Sequence, residues 1–152
     1  MYYAESSVLI PFTLARTVDV DKTKAVDELF EKINSEEIKC CTSFYALLEV
    51  YIFALGNALN FEEGSSVGKE ALVKILQSKM SLLTMVNREE RILHENKFKK
   101  LKDKSDIPHA ILASINNCKG IVTYDSHFKD VLDVIISMTP EELLEKLKKN
   151  AK

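Results

Sequence analysis

Tryptophan is absent from this 152-residue chain, and glycine (four), proline (three) and cysteine (three) are scarce. So few glycines and prolines leave little material for long flexible linkers. The cysteine count is odd: Cys40 and Cys41 are adjacent, Cys118 is remote, and no Cys-x-x-Cys spacing occurs. That argues against a disulfide framework or a zinc site and predicts reduced, buried thiols in a cytoplasmic protein. The start, Met-Tyr-Tyr-Ala-Glu, has no basic stretch before an apolar segment, so no signal peptide is expected. The longest strongly apolar region, Phe44 to Leu55, is too short to cross a bilayer and contains Glu49, so no membrane association is expected. An excess of one charge is lacking too: 21 basic side chains stand against 23 acidic ones, a net charge of -2. A nucleic-acid partner would therefore meet a local basic patch. No Gly-rich phosphate loop is present and no Asp-x-Asp follows a strand, which removes support for a phosphoryl-transfer or receiver-type domain.

What remains is a composition, 46% hydrophobic and 29% charged, that fits an ordinary globular protein. The length suits a single domain over 1–152 able to bury a core without disulfide or metal staples. Hydrophobic periodicity predicts strands at 1–5, 38–42, 81–86, 120–124 and 134–137. It predicts helices at 7–15, 22–34, 43–59, 68–77, 88–101 and 105–117. In 22–34 the apolar residues Ala25, Val26, Leu29, Phe30 and Ile33 fall at helical spacing. Pro11 is expected to kink or restart the first helix, and Ser105 or Asp106 to cap the helix at 105–117. Residues 62–68 read as a polar loop. Thr139-Pro140-Glu141-Glu142 opens a C-terminal helix over 139–149, followed by a disordered tail at 150–152. Strands alternating with helices imply an α/β fold: a three-layer sandwich with a central, mostly parallel sheet of about five strands flanked by helices.

In such folds ligands bind beyond the carboxyl ends of the strands, where Glu5 and Asp125 fall. Glu49 sits within Ser-Phe-Tyr-Ala-Leu-Leu-Glu-Val-Tyr-Ile-Phe-Ala-Leu, a helix apolar all round, where a carboxylate needs a partner or a cation. Asp106 opens a further apolar helix. Taken singly, each acid has a plainer reading: Glu49 salt-bridged or on an exposed stripe, and Asp125, Asp106 and Glu5 as turn or cap residues. Ser6 is the better cap for the first helix, which would leave Glu5 free for another task. Together the four acids can converge at one edge of the sheet, raise each other's pKa and invite a dication. Oxygen ligands suit magnesium or manganese.

In order and spacing these segments resemble PIN domains, the fold of many prokaryotic toxin ribonucleases of the VapC type. The matching pieces are Glu5-Ser6-Ser7 closing the first strand, Glu49 in Tyr45-Ala-Leu-Leu-Glu-Val, Asp106 with Ala110 four residues on, and Thr123, Asp125 and Phe128. They span residues 1–137. The resemblance implies metal-dependent phosphodiester hydrolysis, with Glu5, Glu49, Asp106 and Asp125 holding one or two Mg²⁺ or Mn²⁺ ions. These ions would generate hydroxide and stabilise charge on the scissile phosphate. Ser7 and Thr123 would be hydroxyls that orient ligands. The implied partners are RNA, a small antitoxin protein lying across the cleft, and a second copy of the chain. Lys97, Lys99, Lys100 and Lys102, just before Asp106, are the candidates for holding the RNA backbone; a solvated helix face is the alternative. His94, His109 and His127 are read as surface or capping residues. Of these, His127 could touch substrate and His109, one turn beyond Asp106, could face the same cleft. Tyr45, Tyr51, Phe53 and Phe61 give the helix at 43–59 more apolar surface than one face needs, for a dimer contact or for the core. Two departures stand out. The family has aspartate where this chain has Glu5, and a further position, often acidic, is His127. The departure at Glu5 leaves a second reading, a PIN-like module that binds RNA or protein without cutting.

Overall fold

The computed structural model describes residues 1–14 and 20–150. Five strands form one sheet: β1 (Tyr2–Ala4), β2 (Cys40–Ser43), β3 (Ser81–Leu83), β4 (Ile121–Val122) and β5 (Ser137–Met138). The order is β3-β2-β1-β4-β5 and all four pairings are parallel. Seven α-helices are described: α1 (Ser6–Thr13), α2 (Val20–Asn34), α3 (Phe44–Asn57), α4 (Phe61–Leu76), α5 (Arg88–His94), α6 (Asp106–Ile115) and α7 (Pro140–Asn150). Short 3₁₀ turns cover Glu95–Phe98 and Ser126–Val131.

The strands are short, and β1, β2 and β4 are buried on both faces, so their successive side chains divide the core in two. Tyr2, Ala4, Cys40, Val122 and Met138 pack with apolar residues of α1, α2, α3, α4 and α7. Tyr3, Cys41 and Ile121 turn the other way, onto α6 and the two 3₁₀ turns, where Phe98, Phe128 and Val131 are fully buried. This is the predicted three-layer sandwich. The apolar stripe of α2 is buried as its spacing requires.

Several boundaries differ from expectation. The predicted polar loop at 62–68 is helical. Asn60 caps α4 by accepting from Glu63 N (2.9 Å), and Glu62 and Glu63 occupy its first turn. Gly64 and Gly68, which weaken a helix by propensity, are there because α3 and α4 pack backbone to backbone. A Cβ on Gly64 would lie 2.9 Å from the Cα of Leu55, and one on Gly68 would lie 2.6 Å from the Tyr51 ring. The helix predicted over 88–101 ends at His94 and tightens to 3₁₀ at Glu95–Phe98, driving Phe98 into the core. The strand expected at 81–86 stops at Leu83, that at 120–124 covers only Ile121–Val122, and that at 134–137 begins at Ser137. Helix α1 runs through Pro11 without interruption. The predicted end of the first helix at Ala15, and residues 151–152 of the predicted tail, lie outside the described residues; Asn150 belongs to α7. Among the described residues no helix is long and apolar enough to cross a membrane.

The chain adds β2 and β3 on one side of β1 and returns to place β4 and β5 on the other. The reversal lies between β1 and β4, so their carboxyl ends flank the crevice where ligands bind in such sheets.

Candidate metal centre

Glu5 leaves β1 with an extended backbone, and its carboxylate accepts from Ser7 N at 3.0 Å. Glu5 is therefore itself the cap of α1. Ser6, the expected cap, instead donates its hydroxyl to Glu5 Oε1. Thr123, just past β4, donates to Glu5 Oε2 at 2.9 Å. The same hydroxyl accepts from Asp125 N (2.9 Å) and from Ser7 Oγ (3.1 Å), while Ser7 Oγ accepts from Tyr124 N (2.8 Å). Ser7 and Thr123 thus tie the end of β1 to the end of β4, across a sequence separation of 116.

Glu49 projects from the middle of α3 and is one-third exposed. His109 on α6 places Nε2 3.1 Å from Glu49 Oε1. The expectation of a surface or capping role for His109 is corrected: it is fully buried. Its Nδ1 lies 2.7 Å from the Tyr3 hydroxyl, which is 2.6 Å from Ser43 Oγ. A chain of contacts thus runs from β2 through β1 to α6 and out to Glu49. Burial opposes charge on His109, yet the hydrogen bond and charge of Glu49 raise its pKa above the ordinary value. Burial likewise opposes ionisation of Glu49, but the hydrogen bond and charge of His109 bring it below the ordinary value. No sequence signal marked His109 beyond its place one turn after Asp106.

Asp106 is the first residue of α6 and is buried. The expected cap of α6 is not made: neither Ser105 nor Asp106 caps the helix through its side chain. Asp103 instead accepts from Ser105 N (2.8 Å) and Ser105 Oγ (2.7 Å), closing the turn before the helix. Asp106 Oδ2 is buried and has no hydrogen-bond partner among the described residues. Burial, then the charges of Asp125, Asp103 and Glu5, push its carboxyl up to about 6. Asp103, hidden in the lysine-rich tract, went unnoticed in the sequence although its charge also acts on Glu49. Asp125 caps the 3₁₀ turn that follows it, accepting from His127 N at 2.8 Å. His127 is half-exposed; its Nδ1 stands 3.3 Å from Asp125 Oδ1 and 3.6 Å from Asp106 Oδ2.

The four acids therefore lie as two pairs, each with a histidine. Glu5, Glu49 and His109 each offer a ligand atom within 4.8 Å of the other two, and so do Asp106, Asp125 and His127. The donor set is dominated by carboxylates, and one buried carboxylate oxygen, Asp106 Oδ2, has no hydrogen-bond partner among the described residues; both features fit a hard dication. Of the lysine candidates, Lys97, Lys99, Lys100 and Lys102 are all exposed, held outward by the buried Phe98 and Leu101. Lys100 is paired with Asp133 at 2.7 Å, and Lys97 Nζ is 3.4 Å from His94 Nδ1.

Three solved structures share this architecture. VapC20 of Mycobacterium tuberculosis, a sarcin-ricin loop cleaving toxin, superposes with a TM-score of 0.65 at 10% identity, over 90% of this chain and 97% of its own. A chain of VapBC2 from Rickettsia felis, bound to a DNA fragment from its promoter, gives 0.60 at 13% identity, covering 91% and 97%. A chain of VapBC-1 from nontypeable Haemophilus influenzae gives 0.60 at 17%, covering 92% and 98%. No family model matches the sequence, and no match to a curated protein is significant. The fold is the PIN-type fold of VapC toxins.

Proposed function

We propose that this chain is a divalent-metal-dependent ribonuclease of PIN type and the toxin of a toxin–antitoxin pair. The observation that carries the reading is Asp106: a buried carboxylate whose Oδ2 has no hydrogen-bond partner among the described residues, grouped with Asp125, which follows β4. Such a group is costly unless a cation completes it.

Glu5, Glu49, Asp106 and Asp125 are the residues to hold Mg²⁺ or Mn²⁺, and His127 adds an imidazole that manganese accepts more readily than magnesium. A bound dication would supply Lewis-acid activation of water and of the scissile phosphate. The chain's own part is to place the carboxylates. Thr123 and Ser7 orient Glu5 and the Asp125 backbone, and His109 fixes Glu49 from its buried side. Lys97, Lys99 and Lys102 hold the RNA backbone beside an otherwise acidic cleft. The antitoxin is a small protein whose segment crosses that cleft. The VapBC complexes among the similar structures support this partner. A homodimer would use α3, where Phe44, Leu48 and Ile52 stand one turn apart and are 48%, 52% and 55% exposed.

One observation favours the second reading, a module that binds without cutting: both Glu5 oxygens are engaged by Ser6, Ser7 and Thr123. The test is cleavage of structured RNA by the purified chain in Mn²⁺ or Mg²⁺, with chelator and Asp106→Asn controls. Cleavage that needs the metal and disappears in Asp106→Asn is expected. Tight RNA binding with no cleavage in Mn²⁺ would establish the second reading, and cleavage that persists in Asp106→Asn would overturn the site.

A further inference from the structure

Away from the acidic cleft, two thiols meet. Cys41 Sγ on β2 lies 3.6 Å from Cys118 Sγ, which follows α6, at a sequence separation of 77. Cys41 is fully buried, Cys118 partly exposed. Cys41 shares the α6 side of the sheet with Tyr3 and Ile121, and strand alternation turns Cys40 to the other face. The odd cysteine of the sequence is thus explained: Cys40 cannot reach Cys118, and Cys41 already touches it.

The backbone fixes the position of Cys118. Asn117, with a φ of 53°, closes α6 in the left-handed conformation, and Cys118 N donates to Ala113 O at 2.9 Å. Lys119 N then donates to Met1 O at 2.8 Å. A disulfide needs sulfurs at about 2.05 Å, so the pair is about 1.5 Å short of bonding, a distance that χ1 rotation of the partly exposed partner can cover.

We propose that Cys41 and Cys118 form a reversible disulfide within the chain, and that Cys118 is the thiol that meets the oxidant. A hydroperoxide is the class of oxidant considered. The Cys118 thiolate attacks the terminal peroxide oxygen, the O–O bond breaks, and hydroxide (or alkoxide, from an organic hydroperoxide) leaves, giving a sulfenic acid. The Cys41 sulfur then attacks the Cys118 sulfur. The S–O bond breaks and the departing hydroxide takes the Cys41 proton as water. Two thiols lose two electrons and the peroxide is reduced to two oxygen products at the level of water or alcohol. The contact with Cys41 lowers the Cys118 pKa, which favours the reacting thiolate. The bond would join β2, whose last residue Ser43 caps the helix bearing Glu49, to the turn closing the helix that begins at Asp106.

The test treats the full chain with hydrogen peroxide, blocks remaining thiols, and maps the digest by mass spectrometry. Free thiols should fall from three to one, the survivor being Cys40, and dithiothreitol should restore all three. The thermal midpoint should rise by several degrees on oxidation and return on reduction, because closing so long a loop restricts the unfolded chain. Cys40→Ser should keep both effects, and Cys118→Ser and Cys118→Ala should lose both while retaining the native circular dichroism. A cross-link through Cys40, a chain-to-chain cross-link on a non-reducing gel, or a count that stays at three would each overturn the proposal.

Discussion

His109 Nε2 lies 3.1 Å from Glu49 Oε1, and the two groups shift each other in opposite directions, the histidine up and the glutamate down. Burial alone would have moved each of them the other way. The pair is thus an ion pair held from the inside of the fold, with the Tyr3 hydroxyl fixing the far side of the imidazole at 2.7 Å.

The pair dictates a pH profile. Raising the folded-state value of His109 gives stability that is complete below its ordinary 6.5 and fades as pH climbs through the raised value. Lowering that of Glu49 gives stability complete above its ordinary 4.5 and lost as pH falls through the lowered value. Both contributions are whole between 4.5 and 6.5. In Glu49→Gln, burial becomes the main influence on His109, so stability should instead rise with pH up to the ordinary histidine value. Urea denaturation across that range reads the change in slope, and an unaltered profile would show that the pair is neutral.

Asp106 makes the opposite demand. Its carboxyl is held at about 6 against an ordinary 3.8, so the folded chain keeps a proton the unfolded chain has released. Without a cation this group weakens folding as pH rises from 3.8 towards 6. Asp106→Asn should therefore stabilise the metal-free protein at neutral pH by about 1–3 kcal/mol. It should also abolish stabilisation by Mn²⁺. In the unmodified chain, Mn²⁺ affinity measured by calorimetry should climb through pH 6 and then level, as the ion displaces the proton.

Thr123 Oγ serves Glu5, Ser7 and the Asp125 backbone at once. Thr123→Val keeps the shape and strands all three partners. A loss of about 1–3 kcal/mol is expected by denaturant unfolding. Mn²⁺ affinity should fall about 10–100-fold. Thr123→Ser should restore most of both; if valine binds the ion as tightly as threonine, the hydroxyl orients nothing.

Gly64→Ala sets propensity against packing. Alanine favours an exposed helix over glycine by about 1 kcal/mol. Here the new Cβ would meet the Leu55 backbone at 2.9 Å, which cannot yield without separating α3 from α4. Net destabilisation of about 1–3 kcal/mol is expected in thermal or denaturant melts.

The legible parts of the sequence were those governed by local periodicity or by position at a strand end. The apolar spacing of α2, the near-continuous hydrophobic strands, and Glu5 and Asp125 after β1 and β4 could all be read directly. The first half of helix α4 was hidden, although its second half was read at 68–77, because Gly64, Ser65, Ser66 and Gly68 have loop-like chemistry that close approach to α3 explains. His109 was hidden for a different reason. Its partners, Tyr3 and Glu49, come from segments 106 and 60 residues away, and no local pattern carries such a contact. Asp103 was masked by the lysines around it, although Asp-x-Ser is the spacing of a turn in which the carboxylate takes the Ser105 amide.

Because β1 lies between β2 and β4, the order in which the polypeptide leaves the ribosome matters. Tyr3 can meet Cys41 early, but its other neighbour, Ile121, is made much later. Until that stretch has emerged, Glu5 lacks its Thr123 brace and neither Asp125 nor His127 exists. The acidic pocket is therefore assembled only once the β4 segment has emerged, and a nascent chain arrested before that segment lacks half of the groups that would bind a dication.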